Sequence, residues 1–431
     1  MAARDILARP LALPCGQLLP NRLAKSALTE GLARGDSQAN ERHVRLYKAW
    51  ASGGSGLLIT GNVQVCRHHL ENAGNVAIDG RQSPEALRAL EAWAQAGRSG
   101  GGQLWMQISH SGRQTPRMIN SRPLSPSAVA VELPGNRFGE PTPMSALDIS
   151  DVVKQFTGAA AVAKATGFTG VQIHAAHGYL LSSFLSPLAN LRTDRFGQSL
   201  ENRARPLLDI VDAVRAVVGY EFAISVKLNS ADFQRGGFQF EDSLVVARWL
   251  DEAGIDCLEV SGGSYEQPRM MKFDGMRAAE EPKTASSTRD REAYFLKFVP
   301  EIRKVVKSAS LMVTGGFRTA AAMCDAIVDD GVDVIGLGRP LCLTPAAPAR
   351  LLIGAPRLEH FDDKLRIGPG WLGPRSPIRL VKVVNGIGAL AWYYEQLERI
   401  ADGLSIDEKM SVLNAFMTNE RREKQRVKKL A

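Results

Sequence analysis

Cysteine is scarce in this chain of 431 residues: five in all, at positions 15, 66, 257, 324 and 342, odd in number, far apart and without a Cys-x-x-Cys pair. Such spacing excludes a disulfide framework and the clustered thiolates of an iron–sulfur centre, and it points to a reducing compartment. Long apolar runs are lacking too. None is long enough to span a bilayer, and the N-terminal Met-Ala-Ala-Arg-Asp-Ile-Leu-Ala-Arg carries charges where a signal peptide needs its apolar stretch. The expected location is cytoplasmic, without membrane attachment. Aromatic residues make up 6%, and none interleaves with the basic C-terminal run, which argues against nucleic-acid binding. The net charge of +8 is uneven: from Glu420 to Ala431 six Lys or Arg face two Glu, so 6 − 2 = +4 resides in this tail. A run of that kind reads as a solvated helix end, able also to meet an acidic partner or another subunit.

With 23% charged and 45% hydrophobic residues, the chain has the profile of a globular enzyme. Its organisation follows from eight short apolar runs alternating with helical segments. The runs are 21–29, 56–61, 103–110, 171–173, 221–227, 257–263, 311–316 and 332–339. Helices are expected after Asn40, from Ser83-Pro84 to about Ala96, over 148–166, 200–218, 241–253, 290–307 and 319–329. Crossover helices force neighbouring strands to run parallel. The predicted fold is therefore a (β/α)8 TIM barrel. Residues 6–19, with Pro10, Pro14 and Gly16, predict a hairpin capping one end. The stretch 109–147 contains six prolines and reads as an excursion over the active-site mouth. Beyond Ile353 the repeat stops, and 385–417 is helical and aromatic. The expected division is a barrel over 1–352 and a C-terminal helical extension over 353–431.

The stretch around which the rest is arranged runs from Gly170 to Arg205. A buried strand, Val171 to Ile173, delivers His174, His177 and Tyr179 at its carboxyl end, where barrels place their active sites. Two imidazoles can aim donors at one small volume, and the phenol supplies an acid beside them. His-x-x-His is also a possible metal pair, but no nearby ligand completes the spacing, so no metal is expected. Gly315, Gly316, Gly336, Gly338 and Arg339, at the ends of the seventh and eighth strands, match a barrel phosphate site of backbone N–H groups and a bidentate arginine.

In their order, His174-Ala-Ala-His177-Gly-Tyr179-Leu, Asn190-x-Arg192-Thr-Asp194-x-Phe-Gly197, Glu201-Asn-Arg203 and the two glycine sites resemble the old yellow enzymes, the FMN-dependent ene-reductases of the NADH:flavin oxidoreductase group. The likeness covers about Leu11 to Leu352. It implies FMN as cofactor, NADH or NADPH as reductant, and a small enone-type substrate. By the resemblance, Ser26, Ala27, Thr29 and Gly61 lie against the isoalloxazine, Gln107 bonds its pyrimidine edge, and Lys227 stands beside N1 and O2. Gly315, Gly316, Gly338 and Arg339 hold the phosphate. His174 and His177 hold the substrate oxygen, and Tyr179 protonates the α-carbon. The chain departs from the family at Gln198, where a second glycine is common, and at Lys227, where many members carry arginine. The thiolate cluster and added dinucleotide-binding domain of the iron–sulfur branch are absent. Two other readings compete: a Schiff-base aldolase with Lys227 as nucleophile, and a non-catalytic protein docking an acidic partner through its basic tail. A homo-oligomer is compatible with either enzyme reading.

Overall fold

The structure is a computed structural model that describes residues 2–133, 136–263, 295–362, 364–373 and 376–430. Strands β1 (Leu11–Ala12) and β2 (Leu18–Leu19) form the expected antiparallel hairpin. Next come β3 (Leu23–Lys25), β4 (Leu57–Ile59), the short β5 (Val63–Gln64) and β6 (Gln103–Ser109). The proline-rich excursion carries β7 (Leu124–Ser125) paired with β8 (Thr142–Pro143), so it is more ordered than its prolines suggest. After it follow β9 (Gly170–Ala175), β10 (Ala223–Asn229), β11 (Cys257–Ser261), β12 (Ser310–Thr314) and β13 (Val334–Leu337).

The order β3-β4-β6-β9-β10-β11-β12-β13 closes where β13 pairs with β3, and every pairing is parallel. This is the eight-stranded barrel that the alternation of apolar runs predicts. Helices Glu41–Ala51, Pro84–Arg98, Ala146–Ala165, Leu200–Val218, Phe240–Glu252 and Ala320–Val328 connect successive strands. Asn40 and Ser83 cap their helices through Arg42 N at 3.0 Å and Ala86 N at 3.1 Å. The helix expected over 290–307 is seen as a 3₁₀ turn Leu296–Phe298 and helix Val299–Val305; its first residues lie outside the described ones.

Strand period decides what the barrel holds. Residues such as Val171, Ile173, Ile224, Val226, Leu258, Val260, Leu311 and Val313 point outward into the apolar layer beneath the helices. The inward residues change character along the axis. At the strands' start Ala24, Leu57, Trp105, Ala223, Cys257, Met312 and Val334 form an apolar plug sealed by Leu13 and Leu19 of the hairpin. Two residues further along, Ser26, Gln107, Gln172, Ser225, Glu259 and Thr314 take their place, all buried.

The C-terminal region differs from the single helical stretch expected over 385–417. It is two helices, Arg379–Ala401 and Val412–Leu430, interrupted where Gly403 takes φ +75°. Gly403 in the left-handed region ends the first helix as such glycines commonly do. The helices cross closely at Gly388, where a Cβ would stand 2.7 Å from Val412 Cγ1. The basic tail belongs to the second helix and turns inward: Arg422 and Arg426 pair with Glu395 and Glu398 of the first at 2.6 Å. The extension packs on the barrel, since Arg42 reaches Asp402 at 2.7 Å and Glu423 Oε1 accepts from Ala73 N at 2.6 Å. No helix among the described residues is long and apolar enough to cross a membrane.

Candidate active site

The polar layer inside the barrel is one connected network centred on Glu259. Lys227 Nζ lies 3.0 Å from its Oε1, Thr314 Oγ1 donates to that oxygen at 2.6 Å, and Gln172 Nε2 donates to Oε2 at 2.8 Å. Gln107 Nε2 extends the chain to Gln172 at 2.7 Å, and Ser26 Oγ meets Thr314 Oγ1 at 2.9 Å. Parallel register makes this possible, because His174, Lys227 and Glu259 sit side by side on β9, β10 and β11. Gly336 on β13 is required by the same layer: a Cβ there would lie 2.0 Å from Thr314 Oγ1 and 2.5 Å from Ser26 Oγ. Burying a lone cation or carboxylate costs several kcal/mol, so Lys227 and Glu259 each depend on the other.

At the mouth, His174, His177 and Tyr179 converge. The ring centroids of His174 and His177 are 5.0 Å apart and those of His174 and Tyr179 4.8 Å. Backbone geometry aims them: His177 takes φ +62° and Gly178 φ +80°, so the chain kinks as it leaves β9. A left-handed histidine is strained and persists only where surroundings over-determine it. Here Asn229 Oδ1 accepts from His177 N at 3.1 Å and Gln114 Nε2 donates to His177 O at 3.0 Å. His174 Nδ1 accepts from Ala176 N at 3.2 Å, which leaves the proton of a neutral ring on Nε2. His177 Nε2 meets Ser261 Oγ at 2.7 Å. Burial, with the neighbouring His177 and Lys227, holds His174 well below its usual pKa, and burial with Lys227 does the same to His177. Both imidazoles are neutral at pH 7.

The Tyr179 hydroxyl donates to Glu71 Oε2 at 2.7 Å. Glu71 also accepts from Thr29 Oγ1 and Asn62 Nδ2, and burial raises its pKa. Beside it, Glu30 Oε1 accepts from Gly61 N at 2.9 Å and from Tyr47 OH, while buried Lys25 lies 3.7 Å away, its pKa lowered to about 8 by burial. Gly61 is thus pinned: a Cβ there would lie 2.4 Å from both Glu30 Oε2 and Leu28 O. Ala27 packs against the apolar plug.

A second cluster lies at the ends of β12 and β13. Arg339 Nη1 reaches Asp362 Oδ1 at 2.8 Å, Arg318 Nη2 reaches Oδ2 at 3.2 Å, and Tyr393 OH donates to Oδ1 at 2.8 Å. Two guanidinium groups share one carboxylate. The two guanidinium groups lie in sequence beside Gly316 and Gly338, and Gly315 and Gly316 turn the backbone there with φ values of +131° and +84°. These residues suit a bound anion.

Among the described residues, Cys66, His69 and His110 also lie close enough to share an ion. Their hydrogen bonds oppose it. His69 Nε2 accepts from Leu124 N at 2.9 Å and His110 Nδ1 from Gly112 N at 3.1 Å. The other nitrogen of each neutral ring, His69 Nδ1 and His110 Nε2, then carries the proton, and Cys66 Sγ meets His69 Nδ1 at 3.2 Å.

The sequence motifs lead to one site for Ser26, Thr29, Gly61, Gln107, Lys227, His174, His177 and Tyr179, and to another for Gly315, Gly316, Gly338 and Arg339. They do not single out Glu71, Asn62, Gln172, Glu259, Arg318, Asp362 or Tyr393. The signal for Glu259 and Gln172 was polarity inside otherwise apolar strands. Glu71 and Asp362 sit in loops with no local pattern.

The NADH:flavin oxidoreductase / NADH oxidase family model matches residues 7–357. An NADH-dependent flavin oxidoreductase of Talaromyces variabilis is 34% identical over 416 residues, covering 92% of this chain and 98% of that protein. Another, of Neonectria sp., is 35% identical over 375 residues, 84% of this chain, which spans only 48% of that longer relative. The solved old yellow enzyme homologue of Zymomonas mobilis superposes with a TM-score of 0.67 at 26% identity, over 81% of this chain and 93% of that one.

Proposed function

The chain belongs to the NADH:flavin oxidoreductase / NADH oxidase family, an oxidoreductase with FMN and NAD(P)H as cofactors, and from that premise we propose that it reduces activated C=C bonds of α,β-unsaturated carbonyl or nitro compounds. The observation that carries this reading is the convergence of two neutral imidazoles and a buried phenol at the end of β9, above a buried cation. FMN, when bound, supplies the hydride that the nicotinamide has given it. The remaining work falls to the chain. His174 and His177 hold the substrate's carbonyl or nitro oxygen and draw electron density from the alkene. Tyr179 gives its phenolic proton to the α-carbon.

The residues present fit the flavin. Lys227 offers a fixed cation and Gln107 an amide to the pyrimidine edge. The Thr29 hydroxyl and Ser26 line the same rim, Gly61 and Ala27 present no bulk to the ring, and Arg339 with the Gly315, Gly316 and Gly338 backbone suits the phosphate. Arg318 joins them. On this reading residues 1–352 form the FMN-binding barrel and 353–431 an extension that buttresses it.

The lysine-nucleophile reading fares worse, since a Schiff-base lysine must reach the substrate carbonyl with a free amine. Lys227 Nζ is instead engaged by Glu259 Oε1 at 3.0 Å inside the barrel. The test is the visible spectrum of purified protein, taken before and after anaerobic NADH or NADPH and then after 2-cyclohexenone. Flavin bands that bleach with nicotinamide and return with the enone are expected. Bleaching reversed only by oxygen would remove the substrate class, and Tyr179→Phe should slow the enone step roughly a hundredfold or more while leaving flavin reduction intact.

A further inference from the structure

An acid buried against apolar walls must recover its proton before the next turnover. Tyr179 is buried, and its hydroxyl donates to the carboxyl oxygen Oε2 of Glu71 at 2.7 Å. Glu71 is half-buried, in the loop between β5 and the helix Pro84–Arg98. That loop is tied down twice, by Glu71 N donating to Asn75 Oδ1 at 2.9 Å and by Ala73 N donating to Glu423 of the last helix at 2.6 Å. Asn62 Nδ2 donates to the oxygen that Tyr179 uses and Thr29 Oγ1 to the other, so the carboxyl group is held from both sides with Oε2 against the phenol.

We propose that Glu71 is the positioning and proton-returning residue of Tyr179: it orients the phenol and restores the proton that Tyr179 gives to the α-carbon. This rests on the reading of Tyr179 as the acid. In the step, the phenolate oxygen takes the carboxyl proton of Glu71, an O–H bond forms on Tyr179 and one breaks on Glu71, and the carboxylate regains a proton from solvent. No electrons move. Burial raises the pKa of Glu71, which keeps its proton available at higher pH than an exposed glutamate would. The titratable groups that act on it are Tyr179, Glu30 beside Gly61, and Glu423 of the last helix, itself beside Arg426. As pH rises through the titration of Glu71, the proton is lost and the enone step should slow.

The experiment compares wild type, Glu71→Gln, Glu71→Asp and Tyr179→Phe holoenzymes in separate stopped-flow half-reactions across pH, with 2-cyclohexenone as probe. Glu71→Gln keeps shape and an acceptor oxygen but has no proton to give. Expected are a ten- to hundredfold slower enone step with its alkaline limb removed, an unchanged rate of flavin reduction by NADH, and a restored limb in Glu71→Asp. Infrared difference spectra should show a protonated-carboxyl band in wild type at neutral pH that is lost at higher pH and missing in Glu71→Gln. If Tyr179→Phe slows the enone step but Glu71→Gln matches wild type at every pH, the inference fails while the reading of Tyr179 stands. A slow Glu71→Gln with the limb intact, or no carboxyl band at neutral pH, overturns proton return. An unaffected Tyr179→Phe removes the reading beneath it.

Discussion

The two ends of the barrel interior are built by the same strands on opposite terms. At the start of the strands Ala24, Leu57, Trp105, Ala223, Cys257, Met312 and Val334 make an apolar plug under the hairpin. Two residues on, Ser26, Gln107, Gln172, Glu259 and Thr314, joined by Lys227 one inward position higher on β10, make a polar network. The plug needs only shape and volume, so each of its members contributes nearly independently. The network needs every partner, because a buried charge or amide left alone costs more than the bond it made. The difference teaches where the chain keeps stability and where it keeps chemistry.

Acid should separate the two ends most widely. Burial lowers the pKa of His43 to about 3 and of His69 to about 4, and it holds His110, His174 and His177 well below their usual value. A histidine with a depressed folded pKa binds its proton more readily in the unfolded chain. Its contribution is therefore complete above about pH 6.5 and is lost as the pH falls towards the folded value. Each adds about 1.4 kcal/mol per pH unit to the decline. Urea unfolding from about pH 7 to about pH 5 should show a steep combined loss. A flat profile would mean that these rings are charged in the folded protein.

Next in size is Glu259→Leu, which leaves the Lys227 ammonium buried without its partner. It should cost about 3–5 kcal/mol in chemical denaturation, and the double change with Lys227→Met should recover most of this. Failure of the double change to recover would show that the network is held by its amides and hydroxyls rather than by the ion pair. Met312→Ala in the plug should cost about 2–5 kcal/mol and leave flavin reduction by NADH unchanged below the melting temperature. A slower half-reaction would show that the plug transmits strain to the site.

The smallest effect concerns backbone alone. Gln198, exposed and standing where a glycine is common, takes φ +66°. Gln198→Gly should therefore stabilise the protein by about 1 kcal/mol, read as a higher Tm, through relief of left-handed strain. A lower Tm would mean that the loop uses the glutamine side chain.

Much of this arrangement was legible in the sequence because it is periodic or local. Eight apolar runs spaced by capped helices admit few folds, and Asn40 and Ser83 mark helix starts by chemistry that acts within three residues. His174, His177 and Tyr179 follow an apolar run closely enough for strand geometry alone to bring them to one mouth. The C-terminal region was less legible. Gly403 inside an otherwise helical stretch gave a weak stop signal, and the tail's charges looked solvated because Glu395 and Glu398, which neutralise Arg422 and Arg426, lie about thirty residues upstream on another helix.

The sequence by itself determined the barrel, its hairpin cap and the strand end that carries the two histidines and the tyrosine, since period, turns and caps act over a few residues. Only the tertiary structure decided which carboxylates serve them. Glu71 is 108 residues from Tyr179, and Thr314 is 55 residues from Glu259. Such pairs meet through barrel closure and parallel register, and no local pattern in the chain specifies which of its acidic residues a closed sheet will turn inward.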